Sequence, residues 1–480
     1  MIQAARSSGV RRPPPGQALT PERVEHYNRS GPRYTSYPPI PFWSESFDAK
    51  DYRAALRRAA AASDEPVALY VHLPFCAERC AYCGCNATVT NRSSVVDAYL
   101  DRVELEIASV LQTLGRGRKA LELHLGGGTP NFLTEPQMER LLRLLEDAFD
   151  LGAEAERSLE IDPRIATPEQ VRFLRGLGFT RISLGVQDMD PRVQEAIGRI
   201  QPEALTREIF LAAREAGFPS VNLDLVYGLP YQTPEVFQRT LDSVVELKPD
   251  RLSCFSYAHL PHLRANQKQV DARGLPATAW DKFSLFQQAV DALTEAGWSW
   301  IGMDHFALET DELSRALEER RLHRNFMGYV ERAAPHLVAF GCSAIGEVGG
   351  AQIQSDPKLG SWQRALDAGA LPVVRGHVLT DEDLRRRDAI HHLLSNLELP
   401  HRLLEAREGA SGRELPALVR EREALEAHAD DGLLRRLEDR YEVTPLGRWF
   451  LRNLCMELDA YLPVSLPTAQ SGAPRFSMTV

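Results

Sequence analysis

The sequence predicts an α/β protein, a parallel (β/α) barrel, partial or full, with an N-terminal extension and a mainly helical C-terminal domain. Three observations carry that prediction. Between Pro66 and about Asp304, short β-branched apolar segments alternate with longer amphipathic ones. Four of the seven cysteines fall within ten residues, directly behind the first such segment. Beyond about Val374 the strand-like segments give way to helical periodicity.

With 480 residues, the chain is about three times a common domain length of roughly 150. Residues 1–20 are Pro-rich and aperiodic, so a disordered tail is expected there, followed by an extension or lid over 21–65. The expected catalytic domain spans 66–375. Its strands are predicted at 67–75, 120–128, 158–162, 180–186, 220–228, 251–258 and 300–304. The intervening helices are predicted at 95–114, 135–149, 167–176, 191–216, 233–247 and 276–296. Repeated strand–helix–strand units require right-handed crossovers and a parallel sheet, with chemistry at the strand C-terminal ends. The residues that follow the strands are polar or Gly-rich: the cysteine run 76–85, Gly126 to Thr129, Glu160 with Asp162, Gln187 with Asp188, Asp224, and Tyr257 to His259. All are expected to face one mouth. In the C-terminal part, 376–480, Thr380 and Asp383 read as a capping box. It opens a helix with Leu384, Ile390, Leu393, Leu394 and Leu397 inward. Residues 431–462 read as a strand pair, a turn at Pro445 and Gly447, and a helix, an order shared with winged-helix modules.

Composition narrows the function classes. A net charge of −10 and a pI near 5.8 disfavour a nucleic-acid partner, which needs a basic face. No stretch approaches 18 uninterrupted apolar residues, so no membrane-spanning helix is expected. An odd number of cysteines, clustered rather than spread, disfavours a disulfide framework and points to a reducing, cytoplasmic setting.

Cys76, Cys80 and Cys83, with three and then two intervening residues, allow a single loop to wrap one inorganic cluster with thiolates, and Cys85 adds a fourth thiol nearby. Zinc is the alternative reading. A closed zinc site wants four ligands, usually as two separated knuckles, whereas here all four sulfurs share one loop. Three thiolates would leave one iron of a four-iron cluster open to a small molecule. Gly126, Gly127 and Gly128 remove side chains so that backbone groups can approach a ligand, and Thr129 adds a hydroxyl; a tight turn is the plainer reading.

The loop "CAERCAYC" behind a strand, with "GGGTP" one unit later, resembles the signature of radical S-adenosylmethionine (SAM) enzymes. Longer stretches narrow the resemblance: "GPRYTSYPP" at 31–39, "YVHLPFCAERCAYCGCN" at 70–86, "LGGGTPNFL" at 125–133, "EIDPR" at 160–164, "DLVYGLPYQTP" at 224–234, "IGMDHFA" at 301–307 and "LHRNFMGY" at 322–329. Together they are similar to the oxygen-independent coproporphyrinogen III oxidase family of haem biosynthesis. That resemblance implies a [4Fe–4S] cluster on Cys76, Cys80 and Cys83. It implies SAM contacts from Tyr70, Tyr82, Gly127, Gly128, Thr129 and Glu160, with Tyr82 replacing a common Phe. A second SAM is implied on Gln187, Arg199, Asp224, Ala258 and Ile345. Cys85 and Tyr70 take catalytic roles by the same resemblance.

The implied reaction converts two propionates of coproporphyrinogen III to vinyls, giving protoporphyrinogen IX, through SAM cleavage to a 5′-deoxyadenosyl radical. The partners implied are a one-electron donor such as flavodoxin or ferredoxin and an unidentified electron acceptor, with a monomeric enzyme expected. A substrate with four carboxylates calls for cations, and Arg33 and Arg324 are the candidates. The alternative within the superfamily is a haem-binding chaperone, or a haem-degrading or methyltransferase member. His72, His124, His305 and His323 are read as structural.

Overall fold

The computed structural model describes residues 18–462 and 476–479. Of the tail expected over 1–20, residues 1–17 lie outside the described residues. Thr20 already caps the helix Pro21–Tyr27, its hydroxyl accepting from Arg23 N at 3.3 Å.

Six parallel strands make the centre of the molecule: β1 (Val67–Leu73), β2 (Arg118–Gly127), β3 (Glu156–Ile161), β4 (Arg181–Gln187), β5 (Ser220–Tyr227) and β6 (Arg251–Ser256). They pair in sequence order from β1 to β6, as successive right-handed crossovers require. Every residue of β1 is buried, because helices cover one side of the sheet and polar groups of the interior fill the other. The helices Ser93–Leu114, Glu135–Ala148, Glu203–Glu215 and Pro234–Leu247 lay apolar stripes on the outer face. The capping box of Thr134 with Gln137 fixes where the second of them begins.

The sheet stays open. Beyond β6, the predicted seventh parallel strand, β7 (Trp298–Gly302), is an edge strand and does not touch β6. Met303, at φ +46°, turns the chain back on itself. The returning strand β8 (His305–Leu308) inserts antiparallel between β7 and β6. At the other end, β9 (His336–Phe340) adds parallel to β1. An antiparallel run then continues through β10 (Ile345–Val348), β11 (Ala351–Ser355) and β12 (Val373–Val378). The barrel is therefore partial, with edges at β7 and β12.

The helix expected over 191–216 is two helices, Pro191–Ala196 and Glu203–Glu215. Gly198 adopts φ +63° and Pro202 offers no N–H to the preceding turn. Gln194 clasps the break, donating to Asp188 O at 3.0 Å and Gln201 O at 2.6 Å and accepting from Gln201 N at 2.8 Å. A continuous apolar pattern concealed this break from periodicity.

The N-terminal stretch splits its packing. Tyr52, Ala55, Leu56 and Ala59 of the helix Ala49–Ala61 join the main core. Val24, Tyr27, Tyr34 and Tyr37 instead join the core of the C-terminal helices. There the helix Asp381–Asn396 carries the expected Thr380–Asp383 box, with Ile390, Leu393 and Leu394 buried. Leu384 does not point inward with them. It lies six residues before Ile390, about 240° round the helix at 100° per residue. Arg385 and Arg386 take the inner positions, and Leu397 is a partly buried C-cap at φ +55°. Arg386 reaches Leu458 O and Glu421 Oε1, both at 2.8 Å. The strands Leu434–Arg436 and Arg440–Val443 pair antiparallel, with Glu398–Pro400 added at the edge of the pair, ahead of the short helix Leu451–Met456. No described helix is long and apolar enough to cross a membrane.

Candidate active site

The C-terminal ends of the parallel strands open into a cavity of about 510 Å³. The loop behind β1 forms part of its wall. Phe75–Cys76 pairs with Thr88–Val89, closing the loop at its base, and the break after Ala196 receives it: Ile197 O accepts from Ala81 N at 2.9 Å. Asn266 Nδ2 donates to the carbonyls of Cys80, Ala81 and Cys83 at 3.1, 3.0 and 2.9 Å. Gln267 Nε2 donates to Tyr82 O at 2.8 Å and Ala258 O at 3.2 Å. Cys76, Cys80, Cys83 and Cys85 are all free thiols. Asn266→Ala removes three contacts worth roughly 1 kcal/mol each at most. It should leave the fold intact but release iron, read as iron per chain after desalting; full iron retention would contradict the assignment of Asn266 to the loop.

The thiols sit in a polarised environment. A hydrogen bond with the Cys85 thiol, against burial and with the Cys85 N–H adding, lowers Cys83 to about 6. Burial raises Cys76, whose Sγ lies 3.3 Å from Thr129 Oγ1. Arg164 Nη2 and Arg199 Nη1 approach Cys80 Sγ at 3.5 and 3.7 Å. Both guanidiniums share Asp162: Arg199 contacts it with two nitrogens, at 3.0 and 3.1 Å, and Arg164 reaches it at 2.7 Å. Burial opposes the charge of Asp162, but the two arginines hold its carboxyl below the ordinary range. Arg199 also donates to Gly185 O at 2.7 Å, while its buried Nε has no partner.

The three glycines behind β2 do different work. A Cβ on Gly128 would stand 2.7 Å from Phe75 O and 2.9 Å from Phe75 N, and one on Gly127, at φ +119°, would meet the His72 ring at 2.7 Å. The tight-turn reading is thus part of the answer, because the turn seats the cysteine loop. Gly128→Ala should cost about 2–3 kcal/mol, seen as a lowered urea midpoint; an unchanged midpoint would refute the close approach. Gly127 N donates to Glu160 Oε2 at 3.2 Å. Burial works to raise Glu160, but His124, 3.6 Å away, and the Gly127 N–H lower it.

Of the residues singled out in the sequence, Tyr82, Cys80, Cys83, Cys85, Gly127, Gly128, Thr129, Glu160, Gln187, Arg199, Asp224 and Ala258 line this cavity. Gln187 stands at φ +68° beside the register shift in β4. Asp224 accepts from Ser183 Oγ and Asn222 Nδ2, each at 2.8 Å, and burial raises its carboxyl. Tyr70 stands behind the wall, its hydroxyl 2.9 Å from His72 Nδ1 and its ring stacked on His124. Asp188, expected at the mouth, is instead buried beneath it and accepts from Gln232 and Thr240.

Cys76 opens the loop without lining this cavity, its Sγ beside Thr129, and three further expected site residues stand elsewhere. Ile345 lines a different cavity of about 320 Å³, shared with Arg324. Arg324 spends its Nη1 on the carbonyls of Arg33 and Tyr34, at 3.2 and 2.7 Å, so it pins the N-terminal segment. Arg33 pairs with Asp304 at 2.8 Å. Asp162 faces the mouth as expected, whereas Arg164, Asn266 and Gln267 join the site without having been assigned to it. Arg164 closes the "EIDPR" stretch, which could have signalled it. Asn266 and Gln267 lie in the short 3₁₀ helix Ala265–Gln269, which no sequence signal marked.

The donor set fits an iron–sulfur cluster. The free thiols of Cys80, Cys83 and Cys85 share a cavity wall with the orphaned Arg199 Nε and with Gly84, whose missing side chain faces open space, and Cys76, also free, opens the same loop. Among the described residues no three His, Cys, Asp or Glu side chains come together as a single-ion site.

The Radical SAM superfamily profile matches residues 70–244, the span from Tyr70 through β5 that builds most of the cavity wall. Fold, cysteine loop and profile define a radical SAM protein. The oxygen-independent coproporphyrinogen III oxidase of Salmonella typhimurium is 42% identical over 439 residues, covering 92% of this chain and 94% of its own. That of Synechocystis is 40% identical over 450 residues, covering 93% and 96%. The solved coproporphyrinogen III oxidase from Escherichia coli, described as a radical SAM enzyme, aligns with a TM-score of 0.83 at 40% identity, over 90% of this chain and 98% of its own. The chain belongs to the oxygen-independent coproporphyrinogen III oxidase family.

Proposed function

We infer that the 510 Å³ cavity is the chamber in which this oxidoreductase converts coproporphyrinogen III to protoporphyrinogen IX. The protein uses a [4Fe–4S] cluster and SAM. The observation that carries the reading is the convergence of the cysteine loop, the glycine turn and Glu160 on one cavity wall. When bound, the cluster and SAM supply a 5′-deoxyadenosyl radical for hydrogen abstraction. Cys76, Cys80 and Cys83 hold the cluster in this reading. Tyr82, Gly127, Gly128, Thr129 and Glu160 hold SAM, with Tyr70 buttressing Glu160's neighbour His124.

The chain's own residues do the positioning. Glu160, ionised beside His124, presents a carboxylate to a cation such as an amino group. Arg199 and Arg164 offset thiolate charge at Cys80. Gln187, Arg199, Asp224 and Ala258 line the remainder of the chamber and would receive a second SAM; Ile345, in a different cavity, has no part in that set. Cys85, beside Cys83, stays outside the ligand set and takes a catalytic role. Each propionate loses one β-hydrogen, CO₂ and one electron. A flavodoxin- or ferredoxin-like donor reduces the cluster, and a separate acceptor takes the substrate electron. The enzyme acts as a cytoplasmic monomer, with segments 21–65, 66–375 and 376–480 as its parts.

The experiment is anaerobic turnover of the reconstituted protein with SAM, reductant and coproporphyrinogen III. Mass spectrometry should show loss of two CO₂ and two vinyl groups. Deoxyadenosine without decarboxylation would overturn the substrate.

A further inference from the structure

A smaller cavity of about 60 Å³ adjoins the chamber, and Ser256 stands in the walls of both. Three separate parts of the chain build it. Arg33 comes from the N-terminal segment, Tyr227 and Asp304 from the strand ends, and Arg448 and Arg452 from the C-terminal helices. Lys282 stands alongside, its Nζ 5.9 Å from the Tyr227 ring centre and donating to Tyr257 O at 2.9 Å.

The charges do not balance. Asp304 is the carboxylate in this wall, and it is already engaged by Arg33 at 2.8 Å and by His305 at 2.7 Å. The other cations end on backbone carbonyls. Arg448 donates to Trp300 O, while its buried Nε has no partner. Arg452, 8% exposed, donates to Gly31 O, to Pro32 O at 3.1 Å and to Met478 O at 2.7 Å. Carbonyls solvate a cation without neutralising it, so burying three such cations together is costly unless an anion joins them.

We propose that this cavity is a carboxylate subsite, which receives one propionate of the porphyrinogen while the reacting propionate lies in the adjoining chamber. The inference rests on the substrate class given under the proposed function. Size agrees: about 60 Å³ accommodates on the order of four water-sized atoms at roughly 15 Å³ each, enough for a carboxylate and too little for a macrocycle. Electrostatics agree as well. Burial, with Arg33 and Arg452 adding, lowers Lys282 to about 8. Burial lowers Arg448 to about 10, and burial together with Arg33 lowers Arg452 to about 9. Each therefore remains cationic at neutral pH and short of negative charge.

The test is anaerobic ultrafiltration binding of coproporphyrinogen III and of its tetramethyl ester to the reconstituted protein. Arg448→Gln and Lys282→Met serve as variants, since Arg452 also holds the N-terminal segment. Cluster absorption and circular dichroism verify that each variant is folded. Wild type should prefer the acid to the ester by a hundredfold or more, and each variant should lose about tenfold for the acid with little change for the ester. Arg448→Lys should recover part of the loss. Folded variants that bind the acid as tightly as wild type would overturn the subsite while leaving the substrate standing. A wild type that binds neither compound would overturn the substrate class itself.

Discussion

Cys76→Ser is expected to give a folded protein with neither cluster absorption nor detectable turnover. Cys76 is half-buried at the start of the loop, and its sulfur lies 3.3 Å from Thr129 Oγ1, so a hydroxyl there costs the fold little. On the proposed assignment the same exchange removes one of the three cluster thiolates, which should abolish assembly. Cys455→Ala is the control. That thiol is fully buried among Ile390, Leu393 and Leu454 in the C-terminal core, where loss of its sulfur should cost about 1 kcal/mol and leave iron content and turnover intact. Absorption spectra and anaerobic assays of the two variants decide the matter, and equal loss in both would refute the ligand assignment.

Arg199→Ala should lower kcat/KM about a hundredfold, or roughly 2.7 kcal/mol, with the cluster retained. Its guanidinium holds Asp162, Gly185 O and Cys80 in one arrangement. Asp162 keeps Arg164 at 2.7 Å, so no bare carboxylate is left in the wall and the fold survives. Arg199→Lys should recover little, because an ammonium cannot reproduce the two-nitrogen contact with Asp162. Steady-state kinetics beside iron analysis tests this; wild-type kcat/KM in Arg199→Ala would remove the residue from the site.

Much of the fold and part of the site were legible in the sequence, for physical reasons that differ between elements. The first strand is buried throughout, the other five are mostly buried, and amphipathic helices separate them, so period and composition mark each of them. Cys76, Cys80 and Cys83 are local in sequence, and so is Gly126 to Thr129. Three features were not legible. The insertion of His305–Leu308 beside β6 depends on a single turn at Met303, which no periodicity reports. The break at Gly198 was hidden inside an apolar repeat, although it is what places Arg199 on Asp162 and seats Ala81 on Ile197. Arg448 and Arg452, and Lys282 beside them, lie hundreds of residues from Arg33, and only tertiary packing reveals that they come together.

Arg324 shows how a residue singled out for one role takes a structural one as well. Its charge inside "LHRNFMGY" suggested a substrate ligand, and in the fold its Nη1 caps two carbonyls of the N-terminal segment while its Nε has no partner among the described residues. Arg324→Ala should therefore act on that segment, raising its protease sensitivity, before it acts on chemistry; a protease pattern identical to wild type would restore the ligand reading.

The central claim is that radical chemistry in the strand-end cavity acts on the propionate of the porphyrinogen. Its most direct test uses coproporphyrinogen III deuterated at the propionate β-carbons, incubated anaerobically with the reconstituted protein, SAM and reductant. Mass spectrometry of the deoxyadenosine should show one deuterium gained per vinyl formed. Vinyl product accompanied by unlabelled deoxyadenosine would contradict the account.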